Sequence, residues 1–483
     1  MPDELKAPSP DVLALFASIV GDKGVLTAAP DLAPYLKEWR DLYSGRTPMV
    51  LRPASVSEIS AILKLAHEER IALVPQGGNT GLVGGQIPFD TGNEIVLSLD
   101  RMKAIRAVDP AGNTLIAEAG APLKSVQDAA AAVDRLFPLS LGSEGTCQIG
   151  GNIATNAGGV HVLRYGNMRD LVLGVEAVFP GGEVWHGLKT LRKDNTGYDL
   201  KSLLIGSEGT LGVITAASLK LFPRPAEVTT VLAGCPSLDA VAQLFSCVFE
   251  RAGPMLNAFE LIPRLIFDFL FEHMHQFRDP LAAAHPWYVL FELASPLPEG
   301  LAERVTMALL EEALEKGFVA DAAVAASQAQ AQDFWRMREA LSEVQKFEGG
   351  SIKHDVSVPV SAIPAFIADA NAAIERLVPG ARPVPFGHFG DGNIHYNVTQ
   401  PKGADKAAFL ARWDEVADAV HGIVLRLGGS ISAEHGIGRM KTRALESVKS
   451  EAELAMMCRI KAAFDPRGIL NPGKLLTHYI AAG

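Results

Sequence analysis

Cysteine is scarce in this chain. The four residues, Cys147, Cys235, Cys247 and Cys458, are scattered among 483 positions without the C-x-x-C spacing of a zinc ribbon. A disulfide framework is excluded with it, and a reducing compartment is the default expectation. Basic residues are also in deficit, 44 against 55 acids, for a formal charge of −11. Such a field disfavours nucleic acid and anionic membrane surfaces as partners, so an acidic substrate needs its own local basic pocket. No apolar run reaches the ~18 residues that would mark a membrane span. The start, Met1-Pro2-Asp3-Glu4, has no positive segment ahead of an apolar one. No signal peptide is therefore expected, and the expected location is cytoplasmic. Aromatic residues make up only 7% of a chain that is 48% hydrophobic. That balance fits an Ala/Leu/Val-rich globular enzyme and excludes a disordered or fibrous one.

What is present is a long chain with room for more than one core. Alternating apolar and helical periods predict strands at 49–53, 71–75, 94–99, 114–119 and 172–179, and a helix over 57–69 started by Ser57. The pair Pro223 and Pro225 cannot continue a helix or a central strand, and marks the best boundary. Beyond it, strands at 228–232, 256–261, 288–293 and 352–358 alternate with helices at 238–251, 301–316 and 363–377. Residues 383–398 read as a Gly-broken strand pair, followed by helices at 405–427 and 451–463. This repetition resembles two ferredoxin-like units side by side. The expected domains are residues 1–225, 226–425 and 426–483.

Three glycine-rich segments stand out. Pro75-Gln76-Gly77-Gly78-Asn79-Thr80-Gly81 continues to Gly85 directly after a strand, with five glycines in the nine residues 77–85. Consecutive bare N–H groups of this kind can form a concave anion site for a pyrophosphate. The segment is neither a GxGxxG opening a helix nor a P-loop with its Lys. Residues 142–159 and 206–212 are similarly small. Three such loops fit one long dinucleotide better than three independent turns.

Two further clusters carry chemistry, Gly387-His388 to His395-Tyr396-Asn397 and Ser432-Ala433-Glu434-His435-Gly436. Imidazoles and a carboxylate form a ligand set suited to Zn²⁺ or Mn²⁺ with positions left open. A further imidazole beside such a metal can serve as a base. His388 and His395 flank a Gly-Asp-Gly-Asn turn, so a hairpin would bring them together.

The runs PQGGNTGLVGG (75–85), GGNIATNAGG (150–159), RKDNTGYDLKSLLIGSEGTLG (192–212), GHFGDGNIHYNV (387–398), SAEHGIG (432–438) and DPRGILNPGK (465–474) occur in matching order in one known family. The chain resembles the vanillyl-alcohol-oxidase type flavoenzymes over about residues 48–475, and within them the D-2-hydroxy-acid dehydrogenases, in particular those acting on D-2-hydroxyglutarate. The resemblance implies an α+β fold. Its parts would be a two-subdomain FAD-binding domain, a ferredoxin-like α+β substrate (cap) domain, and a C-terminal helical segment returning to the flavin. It implies non-covalent FAD with its pyrophosphate on residues 75–81, that is Pro75, Gln76, Gly77, Gly78, Asn79, Thr80 and Gly81. Gly150, Gly151, Asn156, Gly158 and Gly159 would line the ribityl chain and flavin, with Glu208, Gly209 and Ile214 near the adenosine and Asn471 at the flavin. It further implies His388, His395 and Glu434 as metal ligands and His435 as catalytic base. Arg338, Ser342, Lys353 and Asn397, with His435, would bind substrate; relatives often carry Thr where Ser342 stands.

The implied reaction is oxidation of a D-2-hydroxy acid, D-2-hydroxyglutarate foremost and D-malate besides, to the 2-oxo acid. Electrons would pass to an acceptor such as electron-transfer flavoprotein, and a homodimer is compatible. The alternative on the same scaffold is D-lactate or glycolate dehydrogenase. A redox-neutral transferase or a non-catalytic FAD-binding subunit is more remote, because an idle subunit has no need of the His388, His395, Glu434 and His435 set.

Overall fold

The computed structural model of the chain describes residues 5–477. Two compact units emerge. The first comprises residues 1–159, 166–224 and 434–483, and the second comprises 160–165 and 225–433.

The first unit holds two main sheets. In one, the order is β1 (Val25–Leu26), β2 (Val50–Leu51), β4 (Glu94–Ser98), β3 (Ala72–Gln76), with β2, β4 and β3 parallel. All five β4 residues are buried. Parallel strands need a crossover, and the helix Val56–Glu69 provides it between β2 and β3. Its cap is Ser55, whose side chain accepts from the Glu58 N–H, whereas the sequence pattern suggested Ser57. Capping requires extended backbone, and Ser55 supplies it directly after Pro53-Ala54. The other sheet is antiparallel, in the order β5 (Ile105–Asp109), β6 (Thr114–Glu118), β10 (Val213–Lys220), β8 (Val172–Val178), β9 (Val184–Gly187). A minor pair joins β7 (Arg135–Leu136) to β11 (Phe222–Pro223). The two sheets correspond to the two subdomains expected of an FAD-binding domain.

The second unit is one antiparallel sheet. Its strands are β12 (Glu227–Cys235), β13 (Leu256–Pro263), β14 (Trp287–Ser295), β15 (Asp321–Val324), β16 (Ser351–Ile352), β17 (Val356–Ser357), β18 (Arg382–His388) and β19 (Asn393–Thr399). The order is β15-β12-β14-β13-β18-β19-β16, with β17 also on β19. The first four follow the ferredoxin-like order, with helices Leu238–Ala252 and Leu301–Glu315 in the two connections. The second half repeats the plan with helices Ile363–Leu377 and Trp413–Arg426, but its fourth strand shrinks to a single bridge, Ser357 to Ser430. The halves join through β13 and β18.

Two sequence expectations need correction here. The strand predicted over 352–358 is split, because Lys353, His354 and Asp355 interrupt the ladder between β16 and β17. The helix predicted over 405–427 is broken into Lys406–Leu410 and Trp413–Arg426, where the Arg412 guanidinium donates to the Leu377 carbonyl.

Strand alternation sorts the sheet residues. Val231, Phe259, Leu261, Val289, Phe291, Ile394 and Tyr396 enter a core with the four connecting helices. Leu232, Ile262, Tyr288, Leu290, Val384 and Phe386 enter a second core on the other face, under helices Arg264–His273 and Gln328–Val344. By the same parity, Glu260, His388, His395 and Asn397 project to that second face, beneath the helix that carries Arg338 and Ser342.

Candidate active site

In the second unit, the turn Phe389–Asp391 closes a β18–β19 hairpin that opposes Phe386 to His395. The His388 and His395 rings lie 5.5 Å apart at 77°. His388 is buried, and its Nδ1 is 2.7 Å from Glu260 Oε1. The other oxygen of Glu260 accepts from Arg338 Nε and Nη2, each at 2.7 Å. Glu260 is 1% exposed and Arg338 7%. Burial pushes the Glu260 carboxyl up, but the charges of His388 and Arg338 outweigh it and hold it at about 2. Arg338 is thus gathered with the imidazoles, with one edge of its fork committed to a protein carboxylate.

Lys353 and Asn397 meet elsewhere on this face. Lys353 Nζ donates to the Ser342 carbonyl (3.3 Å) and to Gln345 Oε1 (3.1 Å), and Asn397 Nδ2 donates to the same Gln345 oxygen at 2.9 Å. Gln345 is fully buried, and its Nε2 makes no hydrogen bond among the described residues. Ser342 joins this group through its backbone carbonyl. Sequence reading missed both organisers. Glu260 had a signal, as the one acid inside the apolar strand Leu256–Pro263. Gln345, just past its helix, had none.

In the first unit the glycine loops and the C-terminal tail converge. A Cβ on Gly78 would lie 2.0 Å from the Thr146 carbonyl oxygen, and one on Gly159 (φ +89°) would lie 2.1 Å from that of Ser140. Both positions therefore require glycine. By contrast, a Cβ on Gly142, Gly145 or Gly151 would meet nothing within 4 Å, so bare backbone borders open space there. Gly150 packs on Ala119, the Asn156 side chain accepts from the Arg169 N–H at 2.9 Å, and Ile214 is buried in β10. Asn79 Nδ2 donates to the Pro34 and Lys37 carbonyls. Pro75 lies beneath Gly209, and the Gln76 amide donates to the Tyr35 and Gln86 carbonyls.

Glu208 accepts the Ile437 and Gly438 N–H groups, each at 2.7 Å. Burial pushes its carboxyl up despite those two donors. Its function in the fold is to clamp the 434–438 loop. Asn471 Nδ2 donates to the Gly85 and Glu208 carbonyls (3.0 and 2.9 Å). On that loop, Glu434 Oε2 accepts the Gly159 N–H at 3.3 Å, and its Oε1 is 3.3 Å from His435 Nε2.

Comparison with known proteins bears on this arrangement. The family model for an FAD binding domain matches residues 47–187, and that for the C-terminal domain of FAD linked oxidases matches 224–475. The D-2-hydroxyglutarate dehydrogenase of Xanthomonas citri pv. viticola is 40% identical over 455 residues, covering 94% of each chain. The chain belongs to the FAD-linked oxidases. A mitochondrial D-2-hydroxyglutarate dehydrogenase of Arabidopsis thaliana is 37% identical, over 96% of this chain and 81% of that one. A putative mitochondrial D-lactate dehydrogenase of Schizosaccharomyces pombe is 38% identical, over 95% and 89%. Among solved structures, p-cresol methylhydroxylase superposes with a TM-score of 0.75 at 16% identity, covering 96% of both chains. That likeness shows the fold, which is of the vanillyl-alcohol-oxidase type.

This FAD-linked oxidase is an FAD-dependent hydroxy-acid dehydrogenase, and its first unit has what the cofactor demands. Bare backbone borders open space at Gly151, and the buried acceptors Gln148 Oε1 and Asn471 Oδ1 have no hydrogen-bond partner among the described residues. These features fit an extended ligand with its own donors. If Gly151 borders the flavin, as the resemblance implies, Gly151→Ala, whose added methyl would meet nothing within 4 Å, should keep the fold while crowding flavin out. The expected cost is about 1–3 kcal/mol of overpacking, or about tenfold or more in FAD affinity. The flavin-to-protein absorbance ratio after dialysis reads it, and an unchanged ratio would remove Gly151 from the cofactor site. No helix among the described residues is long and apolar enough to cross a membrane.

Proposed function

We propose that this dehydrogenase oxidises a D-2-hydroxy dicarboxylate, D-2-hydroxyglutarate foremost and D-malate besides, to the corresponding 2-oxo acid. The observation that carries the reading is the company of the His388 and His395 pair. Arg338 is one carboxylate away from His388, and Lys353 shares Gln345 with Asn397. A substrate with one carboxylate has no use for a second cation on this face. Arg338 offers a planar fork for the distal carboxylate, with Glu260 taking Nε and Nη2, and Lys353 offers a point charge. Ser342 and Asn397 complete the proposed substrate contacts.

In the proposed reaction, His435 takes the hydroxyl proton while the C2 hydride departs with both bonding electrons, leaving a carbonyl at C2. FAD, when bound, supplies the hydride acceptor, and a divalent cation (Zn²⁺ or Mn²⁺) supplies a Lewis acid that makes the hydroxyl more acidic. The residues proposed to hold that cation are His388, His395 and Glu434. The donor chemistry fits, since His388 Nδ1 is braced by a carboxylate in the manner of metal-ligating imidazoles. Proposed FAD contacts are Pro75 to Gly81, Gly150, Gly151, Asn156, Gly158 and Gly159, with Glu208, Gly209, Ile214 and Asn471. An electron-transfer flavoprotein as acceptor, a homodimer and a cytoplasmic location are proposed with them.

One observation favours D-lactate or glycolate instead, namely that Arg338 already spends much of its charge on Glu260. Anaerobic mixing decides between the readings. D-2-hydroxyglutarate should bleach the flavin within seconds, and chelator should abolish turnover until Zn²⁺ or Mn²⁺ is restored. A flavin bleached by D-lactate but not by D-2-hydroxyglutarate would establish the alternative, and one bleached by neither would end the dehydrogenase assignment.

A further inference from the structure

We infer that Glu260 is a positioning residue that binds the metal-side imidazole of His388 and the substrate-side guanidinium of Arg338 into one unit, so that metal retention and dicarboxylate recognition fail together. The inference rests on the dehydrogenase reading above, which uses Glu260 only as a brace for His388, and it gives that residue a joint role in metal retention and substrate recognition.

The geometry is specific. Glu260 and His388 are direct register partners on β13 and β18, the two strands that join the ferredoxin-like halves. Their side chains leave the same sheet face from fixed backbone, and Oε1 reaches Nδ1 at 2.7 Å. With Nδ1 engaged, the nitrogen that imidazole turns to a metal is Nε2. Oε2 takes Nε and Nη2 of Arg338 from the helix above. The two oxygens thus serve two different functions, and neither partner can shift without disturbing the other. The Arg338 guanidinium also lies 5.2 Å from the Phe386 ring, so its plane is set on a second side.

A purely structural ion cluster explains this less well. On the same face Ile262, Leu290, Val384 and Phe386 pack as an apolar core beside the cluster. Buried ion clusters can often be replaced by apolar residues without loss of stability, so a fold alone has no need of one here. The arrangement is instead the usual one for orienting a metal ligand through an outer carboxylate.

The test uses the FAD-loaded full chain. Zn²⁺ is the probe, titrated by dialysis against graded chelator and read by elemental analysis. Glu260→Gln keeps the shape but leaves one amide to serve an imidazole N–H and a guanidinium. Zn²⁺ affinity should fall about 10–100-fold. At saturating Zn²⁺, kcat for a D-2-hydroxy monocarboxylate should return to the parent level, while KM for D-2-hydroxyglutarate stays raised about tenfold or more. General loosening of the fold would not give that split. Should Glu260→Gln fail to fold, Glu260→Gln/Arg338→Met removes the uncompensated guanidinium and keeps the Zn²⁺ measurement available. Glu260→Asp, which retains charge, should restore part of the Zn²⁺ affinity.

Zn²⁺ affinity and both KM values within about twofold of the parent, or a parent that binds no Zn²⁺, would overturn the inference. A parent flavin that no D-2-hydroxy acid bleaches, combined with weakened Zn²⁺ binding in Glu260→Gln, would instead overturn the dehydrogenase reading and leave the bracing of His388 standing.

Discussion

His435→Ala should reduce bound flavin about 10²–10⁴-fold more slowly than the parent, with FAD content unchanged. Removing the hydroxyl proton is the step that lets C2 release a hydride, and of the three proposed imidazoles His435 is the one not assigned to the metal. Glu434 is its neighbour in sequence, and their side chains stand 3.3 Å apart, so the imidazole has a carboxylate to orient it. Glu434 is itself tied to the Gly159 N–H at the end of the glycine-rich 150–159 segment. The acid and the proposed base are therefore placed by the same loop that borders the proposed flavin cradle. Single-turnover flavin bleaching under anaerobic conditions is the measurement, with D-2-hydroxyglutarate at saturation. Glu434→Ala provides the contrast, because it should lose metal and respond to added Zn²⁺ or Mn²⁺, whereas His435→Ala should not. A bleaching rate in His435→Ala within tenfold of the parent would assign the base elsewhere.

Much of this was legible in the sequence because it is local. Gly-Asp-Gly-Asn between His388 and His395 announces a tight reversal, and the β18–β19 hairpin follows. The strands read at 228–232, 256–261 and 288–293 all appear in the second unit. Pattern repetition likewise announced two ferredoxin-like halves, since each is built from short connections that leave a periodic trace. The glycine runs announced close backbone approach, and Gly78 and Gly159 have carbonyl oxygens where a side chain would begin.

What stayed hidden is non-local. That Glu260 meets His388, 128 positions away in sequence, depends on the register between β13 and β18. No short window contains that information. The resemblance implies Arg338 as a contact for a substrate carboxylate, and residue type alone does not report that Glu260 holds one edge of its fork. Gln345 was invisible for a similar reason, since an amide just past a helix has many uses and only the fold shows Lys353 and Asn397 converging on it. The split of the strand at Lys353–Asp355 also escaped, because Ile352 and Val356 on either side preserve a strand-like hydropathy. Glu208 shows the same limit. The resemblance implies a place near the adenosine, and only the fold shows that its carboxylate also accepts from the Ile437 and Gly438 amides more than two hundred residues away.

Asp465→Asn should be the most destabilising conservative substitution in the first unit, at about 3–5 kcal/mol. Asp465 is completely buried, and its two oxygens accept from Ile469 N (3.1 Å), Leu470 N (2.8 Å) and Lys461 Nζ (2.6 Å). Lys461 is buried as well, and donates further to the Thr210 and Leu470 carbonyls. Burial lowers the lysine pKa, and the neighbouring carboxylate opposes that shift. An asparagine would still accept one bond, but its NH₂ would face an ammonium or a backbone N–H, and Lys461 would lose its counter-charge. Against a typical total of about 5–15 kcal/mol for a domain, that is a large fraction. The effect should reach the cofactor, because Leu470 bridges to Leu73 on β3 and the next residue, Asn471, spans the Gly85 and Glu208 carbonyls. Release of the tail therefore uncouples the first glycine loop from its support. Thermal melting monitored by flavin fluorescence should show FAD released well before the parent's transition. Lys461→Met/Asp465→Leu should recover only part of the loss. It removes the unbalanced charge but leaves the Ile469 and Leu470 amides without an acceptor, so the anion is needed here for backbone satisfaction as much as for the lysine. Melting of Asp465→Asn within a degree or two of the parent would mean that the tail is held by its packing alone.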